Sequence, residues 1–140
     1  MIKSILIIED NMNDIKWYRS LFNSDKEISL LFYNKNKKYP DEKFIELLEL
    51  LYEDLFKKIK KIYIYKDESI IDFIKADKFD FYIFDSLDKL SQELILNFGL
   101  PKEKIAILSS TSSFRKFMRE RGYAVYRKAD IDKLIEEYIK

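Results

Sequence analysis

The chain contains no histidine and no cysteine among its 140 residues. Those absences exclude or strongly disfavour zinc fingers, Cys or Ser–His nucleophilic sites, haem ligation, iron–sulfur clusters and disulfide frameworks. Chemistry here has to run on Asp, Glu, Lys, Ser, Thr and Tyr. An excess of one charge is lacking too. The 26 basic and 25 acidic residues leave a formal net charge of +1, so no overall field draws the chain to nucleic acid or an anionic membrane. There is no long hydrophobic run near the N-terminus: residues 5–8 are far too few for a signal-peptide core or a membrane span, and a cytoplasmic protein is expected. Glycine and proline are scarce, two of each.

What is present is ample apolar material. A 47% hydrophobic content over 140 residues supports one buried core without metal or disulfide staples. Strand-like runs fall at 4–9, 61–66, 79–85, 104–109 and 123–127, each short, β-branched or aromatic, and too continuous to alternate, as in strands buried on both faces. Between them the spacing predicts helices over 13–22, 41–60, 68–76, 89–98, 112–121 and 131–139. This alternation is the pattern of a parallel sheet covered by helices. In the longest helix Phe44, Leu47, Leu48, Leu51, Leu55 and Ile59 recur at three- and four-residue steps and make one apolar face. Gly99 and Gly122 follow predicted helices and suit left-handed caps. Residues 27–34, EISLLFYN, read as an edge strand, with a helix extension or a packed loop as alternatives. The KNKK run at 35–38 reads as a solvated loop.

In an open parallel sheet, binding groups gather at the carboxyl ends of the strands, near the point where strand order reverses. The predicted strand ends carry Glu9 and Asp10, then Asp85, then Ser109, Ser110 and Thr111, and lastly Lys128. Carboxylates so placed repel one another, and without a cation at least one titrates above its ordinary range. Oxygen-only donors suit a hard cation, and Mg²⁺ takes a few carboxylates with water and phosphate oxygens. An ammonium and a hydroxyl beside them complete a site able to stabilise a phosphoryl group on an aspartate. The competing reading for Glu9 and Asp10 is helix capping, with Asp10 or Asn11 as the N-cap, and Asp85 can cap a helix in the same way. Ser109 competes with Ser110, and Lys128 with Arg127 and a high lysine background.

Taken together, ILIIEDN (5–11), IYIYKDESIIDFIKADKFDFYIFD (62–85), IAILS (105–109) and VYRK (125–128) resemble the response-regulator receiver domains of two-component signalling. The first segment is similar to that family's first strand with its acidic pair. The second resembles its second strand, second helix and third strand, ending at the phospho-accepting aspartate. The last two resemble the strands that carry its Ser/Thr and its lysine.

The resemblance implies an α/β, doubly wound, flavodoxin-like three-layer sandwich around five parallel strands in the order 2-1-3-4-5. Residues 23–60 form an insertion into the single domain 1–140 and add a sixth strand at the edge. The resemblance also implies that Asp85 takes a phosphoryl group from a phosphohistidine and that Glu9, Asp10, Asp85 and the Leu87 carbonyl hold Mg²⁺. Ser109 would donate to one phosphoryl oxygen and Lys128 would pair with another. With no histidine of its own, the chain must receive the group from a sensor histidine kinase or phosphotransfer protein. Output is expected through a downstream protein partner, with a homodimer left open and no nucleic-acid or membrane partner. Residues 86–89, Val125 and Ala129 depart from the family's pattern, which keeps open a pseudo-receiver that acts as an interaction module without phosphorylation. A metal-dependent phosphohydrolase would want an Asp-x-Asp pair, and no predicted strand end carries one.

Overall fold

The computed structural model describes residues 2–33, 40–65, 69–85, 95–96 and 99–139. Its strands are β1 (Ser4–Glu9), β2 (Glu27–Tyr33), β3 (Ile59–Tyr65), β4 (Phe81–Asp85), β5 (Ile105–Leu108) and β6 (Ala124–Tyr126). All six pair in parallel in one sheet, ordered β3-β2-β1-β4-β5-β6. Helical segments connect them. A 3₁₀ run (Met12–Tyr18) leads into α1 (Arg19–Phe22), followed by α2 (Asp41–Leu51), α3 (Glu53–Phe56), α4 (Ser69–Lys75), α5 (Ser112–Glu120) and α6 (Ile131–Leu134). The chain runs on from α6 as a π turn, Ile135–Ile139.

The apolar runs are continuous because both faces of the sheet are covered. Ile5, Ile7, Phe81 and Ile83 pack on one face against Ile15, Leu21, Phe44, Leu48 and Leu134. Leu6, Ile8, Tyr82 and Phe84 pack on the other against Ile70, Ile74 and Met118. The chain is therefore the doubly wound α/β sandwich that the alternation of patterns predicts.

Strand order is where expectation and structure part. Residues 27–33 do form a strand, but not at the edge: β2 lies between β1 and β3 and moves β3 to the margin. The reason is apolar content. From Ile28 to Phe32 every residue of β2 is buried, whereas β3 has exposed Lys60 and Lys61 and only half-buried residues elsewhere. Lysines suit an edge, where they discourage pairing with another chain.

Two helices also differ. Residues 41–60 break at Tyr52 (φ −131°, ψ 50°), which is buried, and the last of them enter β3. Phe44, Leu48 and Leu55 are buried there, while Leu50 and Leu51 remain exposed. Residues 13–22 are mostly 3₁₀ rather than α. The cap at Gly122 is as expected: at φ 89° its N–H donates to Arg119 O (3.0 Å) and that of Tyr123 to Met118 O (3.3 Å), the Schellman pattern. The loop at 35–38 lies outside the described residues, as does most of the helix expected over 89–98. Among the described residues, no helix is long and apolar enough to cross a membrane.

Candidate functional site

From β1 the chain proceeds outward through β2 and β3, then returns to place β4 on the opposite side of β1. The carboxyl ends of β1 and β4 thus lie at the reversal of strand order, the place where α/β sheets bind ligands. Side chains alternate along a strand, so Ile5, Ile7 and Glu9 share a face of β1, as Phe81, Ile83 and Asp85 share the same face of β4. Ile7 pairs with Ile83 and Ile8 with Phe84, and the next step sets Glu9 beside Asp85. Both acids are buried, at 0% and 1% exposure. Asp10, one residue further, is exposed.

A third acid comes from the 3₁₀ run after β1. Carboxylate oxygens of Glu9, Asp14 and Asp85 all lie within 4.8 Å of one another. Lys128, in the turn after β6, bonds Asp14 Oδ2 and lies 3.0 Å from Asp85 Oδ1. That second contact is one of charge, because Asp85 Oδ1 makes no hydrogen bond of good geometry. The buried Tyr18 hydroxyl spans the two strand-end acids, 2.8 Å from Asp85 Oδ2 and 3.2 Å from Glu9 Oε2. Glu9 Oε1 accepts the N–H groups of Asp10 and Asn11, each at 3.0 Å.

Charge is unbalanced here. Two ionised carboxylates within 4.8 Å of one another would repel by about 3 kcal/mol or more at an effective dielectric constant near 20. One lysine cannot offset three such groups. Burial, followed by hydrogen bonding and repulsion from Asp85, pushes Glu9 up to about 11, against the opposing pull of the Asn11 N–H and Lys128. Glu9 therefore carries a proton at neutral pH. Burial opposes the charge on Lys128, but Asp14, Asp85 and Glu9 together outweigh it and raise its pKa. Burial, Glu9 and Asp85 also raise the Tyr18 phenol, which stays neutral.

Of the residues singled out from sequence, Glu9, Asp85 and Lys128 come together. Ser109 is buried at the end of β5, on the strand that pairs with β4, where Leu108 faces Asp85. Its hydroxyl accepts the Thr111 N–H at 3.0 Å and its carbonyl accepts from Arg115 at 2.9 Å, so it organises the start of α5. Leu87 lies outside the described residues. Asp14 and Tyr18 escaped the sequence reading. The sequence offers no signal for either beyond an acid and a phenol on the segment that follows an acid-bearing strand.

The donors are oxygens alone, which fits a hard divalent cation. Sites for a dinucleotide pyrophosphate place glycines in the turn after the first strand. Here residues 10–14 include two acids and no glycine, which disfavours an anion. The chain matches no protein-family model, no curated protein and no solved structure.

Proposed function

We propose that the chain is a receiver-like signalling switch that binds Mg²⁺ and accepts a phosphoryl group on Asp85. The observation that carries this reading is convergence: β1, β4 and the turn after β6 bring Glu9, Asp85 and Lys128 together where strand order reverses. Glu9, Asp14 and Asp85 would hold the cation, which when bound supplies charge neutralisation for phosphoryl oxygens. Asp10 and the Leu87 carbonyl as ligands, and Ser109 as a donor, rest on the family resemblance alone.

In the forward step an Asp85 carboxylate oxygen attacks the phosphorus of a phosphohistidine on a kinase or phosphotransfer protein. The P–N bond breaks, its electron pair returns to the imidazole, and an acyl phosphate forms. Lys128, already against Asp85 Oδ1, balances the negative charge that arrives. Water later attacks phosphorus, the P–O bond to Asp85 breaks, and inorganic phosphate leaves. Output runs through contacts with a downstream protein, with a homodimer still open, in the cytoplasm.

One observation favours a second reading, a pseudo-receiver that is not phosphorylated. The Asp85 side chain is fully buried, with Oδ2 bound to Tyr18 and Oδ1 against Lys128. Incubation with a small phosphodonor and Mg²⁺ separates the two. The switch predicts one phosphoryl group per chain, absent in Asp85→Asn. Folded wild-type protein that takes no label, or a variant that takes as much, supports the pseudo-receiver.

A further inference from the structure

We propose that Tyr18 is a latch on this site: its hydroxyl holds Glu9 and Asp85 together in the metal-free state, and a divalent cation can enter only by displacing it. This deepens the reading above and rests on cation binding at Glu9 and Asp85. The Tyr18 ring is wholly buried and belongs to the same apolar cluster as Ile15, Leu21 and Phe22, so its hydroxyl is aimed rather than free to wander. A neutral phenol has one proton to donate. At 2.8 Å from one carboxyl group and 3.2 Å from the other, that donor ties the two acids into one hydrogen-bonded cluster that a cation would have to open. It also occupies lone pairs on Asp85 Oδ2 that a cation or an incoming phosphorus needs.

The backbone offers a way out. Tyr18 closes a seven-residue 3₁₀ run and sits at the joint with α1 at φ −97°, ψ 9°. Runs of this kind seldom exceed three or four residues, and a longer one marks a strained or hinge segment. Rewinding it as α-helix shortens it by about 3.5 Å and turns its end by roughly 140°. Trp17, immediately before Tyr18, is 38% exposed and is the sole tryptophan, which makes it a reporter of that motion.

Tyr18→Phe keeps the ring and removes the hydroxyl. In calorimetric titrations of the full chain with Mg²⁺, the variant is expected to bind about tenfold more tightly than wild type, the factor for one charge-assisted hydrogen bond lost from the competing state. Equal or weaker binding by the variant overturns the latch while leaving the cation site standing. No binding by either folded protein overturns both. A second measurement needs no variant: Trp17 emission in wild type should change in step with calorimetric saturation. Saturable Mg²⁺ binding with unchanged emission overturns the latch.

Discussion

Asp80 and Glu9 sit at opposite ends of the same pair of strands, and each accepts two backbone N–H groups. At the amino edge, exposed Asp80 takes those of Lys3 (2.8 Å) and Ser4 (3.1 Å), and these donors hold its carboxyl below the usual range. At the carboxyl edge, Glu9 takes those of Asp10 and Asn11 at 3.0 Å each, yet is pushed up to about 11. The number of backbone donors does not explain the difference. Solvent and company do, because Glu9 is buried beside Asp85 while Asp80 faces water. One acid supports the fold. The other holds a charge problem that a proton solves, and that a cation would solve under the function proposed above.

The contrast breaks most completely at Asp85. Asp85→Asn removes the proposed phosphoryl acceptor and the acid that repels Glu9, and is expected to abolish phosphodonor labelling, read as phosphoryl groups per chain. Glu9→Gln comes next. Folded Glu9 keeps a proton well above its ordinary 4.5, so the folded state holds more protons than the unfolded state between about pH 4.5 and 11, and stability falls as pH rises through that window. Glutamine does not titrate. The variant is therefore expected to melt about 3 °C or more above metal-free wild type at pH 8, with a flatter dependence between pH 5 and 9. Its Mg²⁺ affinity should drop. A steeper pH dependence in the variant would reverse the role assigned to Glu9.

Asp80→Asn sharpens the comparison from the other side, with the smallest effect. Asp80 has a lowered folded pKa, so its contribution is present above the unfolded value of 3.8 and is lost as pH falls through the folded one. Because the group is exposed, the variant should cost less than about 1 kcal/mol at pH 7 in urea denaturation, and nothing at a pH where the carboxyl is protonated in both states. Thus the two substitutions move stability in opposite directions at neutral pH.

The reach of the sequence follows the same physics. Glu9 and Asp85 were legible because each ends an unbroken apolar run, and the alternation that buries Ile7 and Ile83 also turns those acids inward. Lys128 was legible only as a strand-end residue, and the structure brings its ammonium to Asp85. Strand order was not legible, since parallel neighbours are chosen by how much apolar surface each strand can bury. EISLLFY, buried from Ile28 to Phe32, outranks IKKIYIY on that measure. Tyr18 was hidden by its own ring, which lies at helical spacing among core residues and gives no sign of where the hydroxyl points. Asp14 was hidden because a 3₁₀ run and an α-helix share one pattern but aim their side chains differently.

The most direct test of the proposed cation site is the thermal midpoint of the protein at pH 8 across a Mg²⁺ titration. Binding to the folded state alone stabilises by about 2.7 kcal/mol at a concentration 100 times the dissociation constant. The midpoint of wild type should climb with Mg²⁺, while Glu9→Gln starts higher and stays flat. A wild-type midpoint that does not move with Mg²⁺, or a Glu9→Gln midpoint that climbs as steeply, would contradict the account.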